Sequence, residues 1–443
     1  LKLLEKTHKD KIDLIYIDPP YNTGNKDFVY DDSFVDSNDA FRHSKWLSFM
    51  EKRLQIARNL LSENGVIFIS IDDNEQAQGK LMCDNVFGSD NFIAQIIWER
   101  AFSPVNLKKH FSESHDYIIC FAKNIQKAIC NGLPRSSEAN NRYSNPDNDP
   151  RGLWTSGDLS VGPAVQENIY KITTPSGRVV LPPAGYSWRL NKDKFEQYVR
   201  EKRIWFGEKG DNTPRIKRFL SEVKQGVTPM TIWKYTEVGH SQDATKELKN
   251  IFDGESKFTY PKSVRLIQRI VGLYGTTNST ILDFFAGSGT AGHAVMKLNA
   301  EDGGCRKFIL CTNNENNICR DVTYERIKRV IAKEDYKASL KYFKVDYLPI
   351  SDKLYYEYAD ELLLHIRELV ELENGINFSG NKEIAIILTE AELDDFTQNI
   401  PEACKAIYVG HDVLPTEEQE KVFAKQNIKV NVIPEYYYRD LEG

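Results

Sequence analysis

Apolar residues follow two rhythms along this chain. Ile12-Asp13-Leu14-Ile15-Tyr16-Ile17, Thr280-Ile281-Leu282-Asp283-Phe284-Phe285 and Lys307-Phe308-Ile309-Leu310-Cys311-Thr312 are short, nearly continuous runs, which predicts strands covered on both faces. Helical spacing marks Leu1 to Leu4, His293 to Leu298 and, most strongly, Tyr355 to Leu372. Further on, Glu383-Ile384-Ala385-Ile386-Ile387-Leu388, Ala406-Ile407-Tyr408-Val409 and Lys429-Val430-Asn431-Val432-Ile433 alternate with helical stretches such as Thr416 to Gln426. That alternation predicts a small parallel sheet with helices packed on it, with Leu348 to Asp352 as the linker before it. Tyr170 to Val180 has the pattern of a hairpin.

The first strand ends in Asp18-Pro19-Pro20-Tyr21, followed by Asn22-Thr23. Two prolines can neither continue a strand ladder nor enter a helix interior, so this loop stays extended with its polar groups unpaired. A carboxylate, a rigid carbonyl and an aromatic ring therefore leave the strand end together. The trio suits methylation of an exocyclic amine on a base. Asp18 and the Pro19 carbonyl each accept one N–H, the nitrogen lone pair is freed for in-line attack, and Tyr21 stacks on the ring. A base inside a duplex cannot reach such a loop, so the target nucleotide has to be flipped out. The alternative is an ordinary proline-rich surface turn.

The strand at Thr280 runs into Ala286-Gly287-Ser288-Gly289-Thr290-Ala291-Gly292 and then a helical stretch. Glycines let the backbone approach a ligand closely, and a helix N-terminus presents N–H groups to an anion. Glu315, 23 residues past Gly292 and beyond the strand at Lys307, suits ribose hydroxyls. Taken alone, this G-x-G-x-x-G reads equally well as a dinucleotide site. The amine-gripping loop turns the choice towards S-adenosylmethionine.

Together, D-P-P-Y-N-T near the start and D-F-F-A-G-S-G-T near the end resemble the beta-class amino methyltransferases of DNA, in which the catalytic loop precedes the cofactor loop. Trp46 to Leu54, Leu61 to Asp73, Tyr117 to Lys123 and Phe258 to Ser263 resemble further blocks of that family, in its order. Cys311-Thr312-Asn313-Asn314-Glu315-Asn316 and the length are most similar to the modification subunit of Type III restriction-modification systems. The resemblance implies an α/β fold, a Rossmann-like doubly wound methyltransferase sheet with S-adenosyl-L-methionine as cofactor. It implies catalytic and base-holding roles for Asp18, Pro19, Pro20 and Tyr21. It also implies cofactor contacts from Asp283, Phe285, Gly287, Gly289 and Glu315, with Lys262 and Ser263 near the methionine end. Phe285 equally fits a core aromatic, and Lys262 a solvated charge. An aspartate opening the P-P-Y motif, where cytosine-N4 enzymes usually carry serine, implies adenine N6 as the target. In relatives a strand ending in a G-D-N-like segment precedes the first helix and contacts the cofactor's adenine. This chain starts at Leu1, without methionine, so the sheet edge and adenine pocket are expected to be incomplete in it.

At 443 residues, 41% hydrophobic and 11% aromatic, the chain can build two or three domains with real cores. Seven cysteines without a C-x-x-C pair and eight histidines without H-E-x-x-H point to neither a disulfide frame nor a zinc site. No apolar run approaches the roughly 18 residues of a membrane span. The net charge of −6 is unevenly spread: residues 101–250 hold 23 basic and 16 acidic side chains, residues 351–443 only 8 against 20. The acidic end is therefore unsuited to phosphate. In the basic middle, Trp188, Trp205 and Phe206 interleave with Arg178, Arg189, Arg200, Lys202, Arg203, Arg215, Lys217 and Arg218. This mixture suits phosphate contacts with stacking or wedging beside a flipped base. For any single residue, a solvated basic face over a small aromatic core fits at least as well.

Four segments are expected: 1–125 and 251–347 as the halves of a catalytic sheet, 126–250 as an inserted target-recognition region, and 348–443 as a small acidic α/β domain for dimerisation or partner docking. The expected activity is sequence-specific adenine-N6 methylation of double-stranded DNA, in a cytoplasmic homodimer that partners a helicase-nuclease restriction subunit. Cytosine-N4 methylation and a catalytically silent recognition subunit are the alternatives.

Overall fold

The protein is available as a computed structural model, which describes residues 1–24, 29–30, 33–36, 38–104, 107–134, 140–222, 226–345 and 355–434. They form two compact units, one made of Leu1–Cys130 with Met230–Gly443 and the other of Asn131–Pro229.

A seven-stranded sheet organises the first unit. Its strands are β1 (Ile12–Ile17), β2 (Leu61–Ile71), β3 (Phe92–Glu99), β4 (His115–Ala122), β5 (Ile232–Trp233), β6 (Thr280–Asp283) and β7 (Lys307–Leu310), in the spatial order β5-β3-β4-β2-β1-β6-β7. Neighbours run parallel, except that β4 is antiparallel to both β2 and β3. β1 takes an interior position because it is apolar on both faces; only Asp13 escapes full burial. In register, Leu14 lies between Val66 and Ile281, and Ile15 between Ile67 and Leu282.

Helices cover both faces of this sheet, as a doubly wound fold requires. On one, α1 (Arg42–Leu60) and α2 (Gln76–Phe87) bring Trp46, Met50, Leu54 and Met82 against Ile15, Ile17, Ile67 and Ile69. On the other, Tyr274 of α3 (Val264–Tyr274) meets Phe68 with ring centroids 5.7 Å apart. Each such buried side chain is worth about 2 kcal/mol. The sheet is thereby clamped from both sides.

Beyond it, the helix Tyr355–Asn374 ends against this unit: Lys11 Nζ lies 2.5 Å from Glu373 Oε1, and Lys307 Nζ donates to the Asn374 carbonyl at 3.0 Å. Ile384–Ile387, Ala406–Val409 and Lys429–Val432 then form the parallel three-stranded sheet that their alternation predicts. The linker expected at Leu348 to Asp352 lies outside the described residues. Among the described residues, no helix is long and apolar enough to cross a membrane.

The second unit is narrower than the span 126–250 that charge suggests, because β5 and the helix Ser241–Ile251 belong to the first. Two hydrogen bonds between Leu133 and Val227, each 2.8 Å, tie its ends together. Its largest sheet is antiparallel, in the order Ile204–Trp205, Arg215–Phe219, Trp154–Asp158. The expected hairpin is present as Ile172–Thr173 against Val179–Val180. Two residues expected to face DNA are interior instead. Trp188 is fully buried and its indole N–H donates to the Tyr170 carbonyl at 2.8 Å. Strand alternation turns Lys217 inward with Phe219, where its ammonium meets Asp147 and, at 2.9 Å, Asp149, beside the Trp154 ring at 5.1 Å.

Removing that ammonium leaves Asp147 and Asp149 close together, held by the Trp154 indole N–H at 2.9 Å and by Arg151 at 2.7 Å respectively. Lys217→Met should lower the stability of this unit by about 2 kcal/mol. Urea denaturation and limited proteolysis within 131–229 measure it, and an unchanged midpoint contradicts the assignment.

Candidate active site

Asp18 follows the last residue of β1, and Asp283 is the last residue of the adjacent parallel strand β6, so the two motif loops leave the sheet side by side. The D-P-P-Y loop is pinned by the helices around it. Trp46 Nε1 of α1 donates to the Pro20 carbonyl at 2.7 Å. Asn22, buried and left-handed at φ 58°, donates from Nδ2 to Glu75 Oε1 at 2.5 Å and to the Arg42 carbonyl at 3.2 Å. His43 Nδ1 lies 2.8 Å from the same Glu75 oxygen. Burial raises the Glu75 carboxyl, against the lowering effect of Asn22 and His43. The carbonyl consumed in holding the loop is thus that of Pro20, not that of Pro19.

Asp18 is held from a distance of 244 residues. Lys262 Nζ donates to both of its oxygens at 2.7 Å and sits 5.0 Å from the Tyr21 ring centroid. Tyr21 in turn donates its hydroxyl to Asp116 Oδ2 at 3.3 Å. Arg100 Nε is 2.7 Å from Asp116 Oδ1, an ion pair poorly aligned as a hydrogen bond. Burial raises the Asp116 carboxyl, with Lys262 and Arg100 opposing. Beside these residues opens a polar cavity of about 440 Å³, lined by Arg42, His43, Asp72, Arg100 and His115 among others.

The glycine loop is shaped by positive backbone angles. Gly287 has φ 49° and Gly289 φ 79°, and Gly289 caps α4 (Thr290–Asp302) without a side-chain bond to its first amides. Gly292 is needed for packing, since a Cβ there would lie 2.9 Å from Ile327 Cδ1. Behind the loop, the fully buried Arg326 donates to the Ser288 carbonyl at 3.3 Å and to Thr290 Oγ1 at 2.8 Å. Asp283 is buried, accepts the Phe285 N–H at 3.0 Å, and is pushed up to about 8 by burial, with Asp18 adding to the rise.

The remaining expected residues are placed less uniformly. Ser263 is buried at the N-cap of α3. Glu315 is exposed in a turn just past β7 and accepts from Asn313 Nδ2 at 3.3 Å. Phe285 packs on Phe284 and Phe49, at 5.3 and 6.0 Å, as a core aromatic does. In the second unit, Arg178, Arg189, Arg200, Lys202, Arg215 and Arg218 are exposed, Arg215 pairs with Asp158 at 2.8 Å, and Arg203 is held by Glu222 at 2.5 Å. Motif reading misses Trp46, Glu75, Arg100, Asp116 and Arg326. Trp46 opens one of the quoted blocks, and Asp116 immediately precedes another; a polar residue at a strand end was the available signal.

A family profile described as DNA methylase matches residues 12–325, which contain both loops and Lys262. The chain belongs to this DNA methylase family. The Mod subunit of the Type III restriction-modification enzyme StyLTI from Salmonella typhimurium is 36% identical over 75% of this chain and 55% of its own length. The EcoPI Mod subunit of Escherichia phage P1 is 34% identical over 71% of this chain and 56% of its own. The Type II methyltransferase M.KpnI from Klebsiella pneumoniae is 32% identical over 71% and 78%. The chain spans about half the length of the Type III relatives it matches.

Asp283 ties the stability of the first unit to pH. An unfolded aspartate titrates near about 4, so its neutral folded form stabilises fully below that pH, and the contribution is lost as pH rises towards 8. Asp283→Asn keeps the acceptor for the Phe285 N–H and should flatten the fall in stability across that window. Denaturant unfolding at a series of pH values tests this; parallel wild-type and variant curves count against it.

Proposed function

We propose that this DNA methylase transfers a methyl group from S-adenosyl-L-methionine to N6 of an adenine flipped out of double-stranded DNA at a specific sequence. The observation that carries the reading is Asp18, beside the Tyr21 ring at the end of β1, next to a glycine loop on the adjacent strand. The residues fit the cofactor: the uncapped N-terminus of α4 offers N–H groups to a carboxylate, and Gly287 and Gly289 lend the loop its close backbone approach. Glu315, just past β7, is the acid proposed for the ribose hydroxyls, and Lys262 and Ser263 are proposed for the methionine end. When bound, the cofactor supplies a methyl group on a sulfonium, a leaving group that departs neutral.

The chain's own residues then have a limited task. Asp18 and the Pro19 carbonyl each accept an N–H of the amine, and the Asp18 charge stabilises the positive charge that grows on N6 during attack. Each Asp18 oxygen keeps a second lone pair beside its bond to Lys262, so it can accept the amine N–H with the lysine in place. Tyr21, fixed through its hydroxyl to Asp116, presents its ring for stacking. The proton leaves to water after transfer, so no resident base is required.

Exposed Arg178, Arg189, Arg200, Lys202 and Arg218 suit phosphate contacts, with Arg203 and Arg215 adding charge that carboxylates partly offset. Similarity to Mod subunits supports a cytoplasmic restriction-modification role in which methylation protects host DNA, with a homodimer and a restriction subunit as partners. The acidic C-terminal module is the segment proposed for those contacts.

Modified-base sequencing of DNA from cells expressing the protein should show N6-methyladenine in one short context. Asp18→Ala should reduce transfer at least about a hundredfold while DNA binding is kept. N4-methylcytosine in place of N6-methyladenine would reassign the target; an unmodified genome would favour a silent recognition subunit.

A further inference from the structure

We propose that the connection between β3 and β4 is a DNA wedge, with Leu107 and Phe111 filling the gap in the base stack when the target nucleotide leaves it. The proposal rests on the reading of a flipped base. β3 and β4 are antiparallel, so the described residues 101–104 and 107–114 lie at the strand ends where Asp116, the second residue of β4, meets the Tyr21 hydroxyl.

Its described residues are built to hold a shape. At the root, the N–H groups of Arg100 and Ala101 both donate to the Ser114 carbonyl, at 2.9 and 3.2 Å. Phe102 stacks on His240 at 5.3 Å and lies 5.7 Å from Tyr235. Towards the tip, Lys108 Nζ pairs with both Glu113 oxygens at 3.2 Å, which links the two sides of the turn. On this frame Leu107 is 96% and Phe111 89% exposed. Single exposed apolar residues are common on protein surfaces. Two nearly bare large side chains on one anchored loop, separated by Lys108, Lys109 and His110, form a different object.

Its chemistry selects duplex nucleic acid. Extruding a base breaks stacking on both of its neighbours, and an inserted aromatic or aliphatic side chain restores contact with those faces. Between Leu107 and Phe111, Lys109 suits a phosphate beside the opened step, while the charge of Lys108 is offset by Glu113. A purely apolar partner would leave those charges desolvated, and a purely anionic one would leave Phe111 in water.

The test compares wild type, Leu107→Ala/Phe111→Ala and Phe111→Trp on duplexes with the target adenine paired, with an abasic site opposite it, or with the target itself replaced by an abasic site. The double variant should methylate the paired duplex about tenfold more slowly than wild type, yet come within about twofold on the duplex whose opposite base is missing, where opening is easy. Phe111→Trp should retain wild-type behaviour. In fluorescence anisotropy, wild type should prefer the duplex lacking the target base by about tenfold, and the double variant should lose that preference. Equal loss of methylation on both substrates, no loss on either, or an unchanged binding preference overturns the wedge. The binding arm needs no methyl transfer. A wild-type chain that shows the preference but methylates nothing therefore counts against the activity and not against the wedge.

Discussion

Everything at the catalytic edge depends on the pairing of β1 with β6. These strands lie more than 260 residues apart in sequence, yet Leu14 faces Ile281 and Ile15 faces Leu282 in parallel register. Because the side-chain period of a strand is two, a slip of one strand by one residue would turn its side chains to the opposite faces and put its loop out of line with the other. The register is protected by apolar residues on both faces of β1 and by helices on both sides of the sheet. Once it forms, Asp18, the glycine loop and Lys262 meet without any further long-range agreement. The energetic weight thus rests on hydrophobic burial, and the polar site is carried as a consequence of it.

The site also has to settle a concentration of like charge. Asp18, Asp116 and Asp283 converge where water is scarce, which disfavours three anions. Two cations answer them: Lys262 takes both oxygens of Asp18, and Arg100 sits against Asp116. Among the described residues, no ion pair is formed by Asp283, whose carboxyl is pushed up to about 8 by burial, with Asp18 adding to the rise and Lys262 opposing it. Two ion pairs thereby answer two of the three carboxylates, and the third is disfavoured as an anion. The arrangement explains why Lys262 lies on Asp18, although family resemblance points to the cofactor end.

Sequence reading was strongest where geometry is local. Strand ends, glycine turns and the alternating C-terminal module follow from runs of a few residues, and the structure places each near its expected position. It was weakest where a residue's meaning depends on the opposite strand. Lys217 looks like a surface charge among basic neighbours; only its placement between Asp149 and Trp154 shows it to be interior. β5 is two residues long and lies within the basic stretch, so neither periodicity nor charge could assign it to the catalytic sheet. Glu75 and Asp116 belong to no motif, since their roles are contacts to Asn22 and Tyr21 across the fold.

The paired ends of the second unit carry a consequence for how such a protein changes over time. Leu133 and Val227 hydrogen-bond reciprocally, so the ninety or so residues between them close on their own stem. Closing a loop there carries an entropic cost that grows only slowly with its length. Insertions, deletions or wholesale replacement of that stretch can therefore accumulate without shifting the register of β1 against β6. A lineage can exchange the second unit as a cassette while the strand ends of the first are inherited intact.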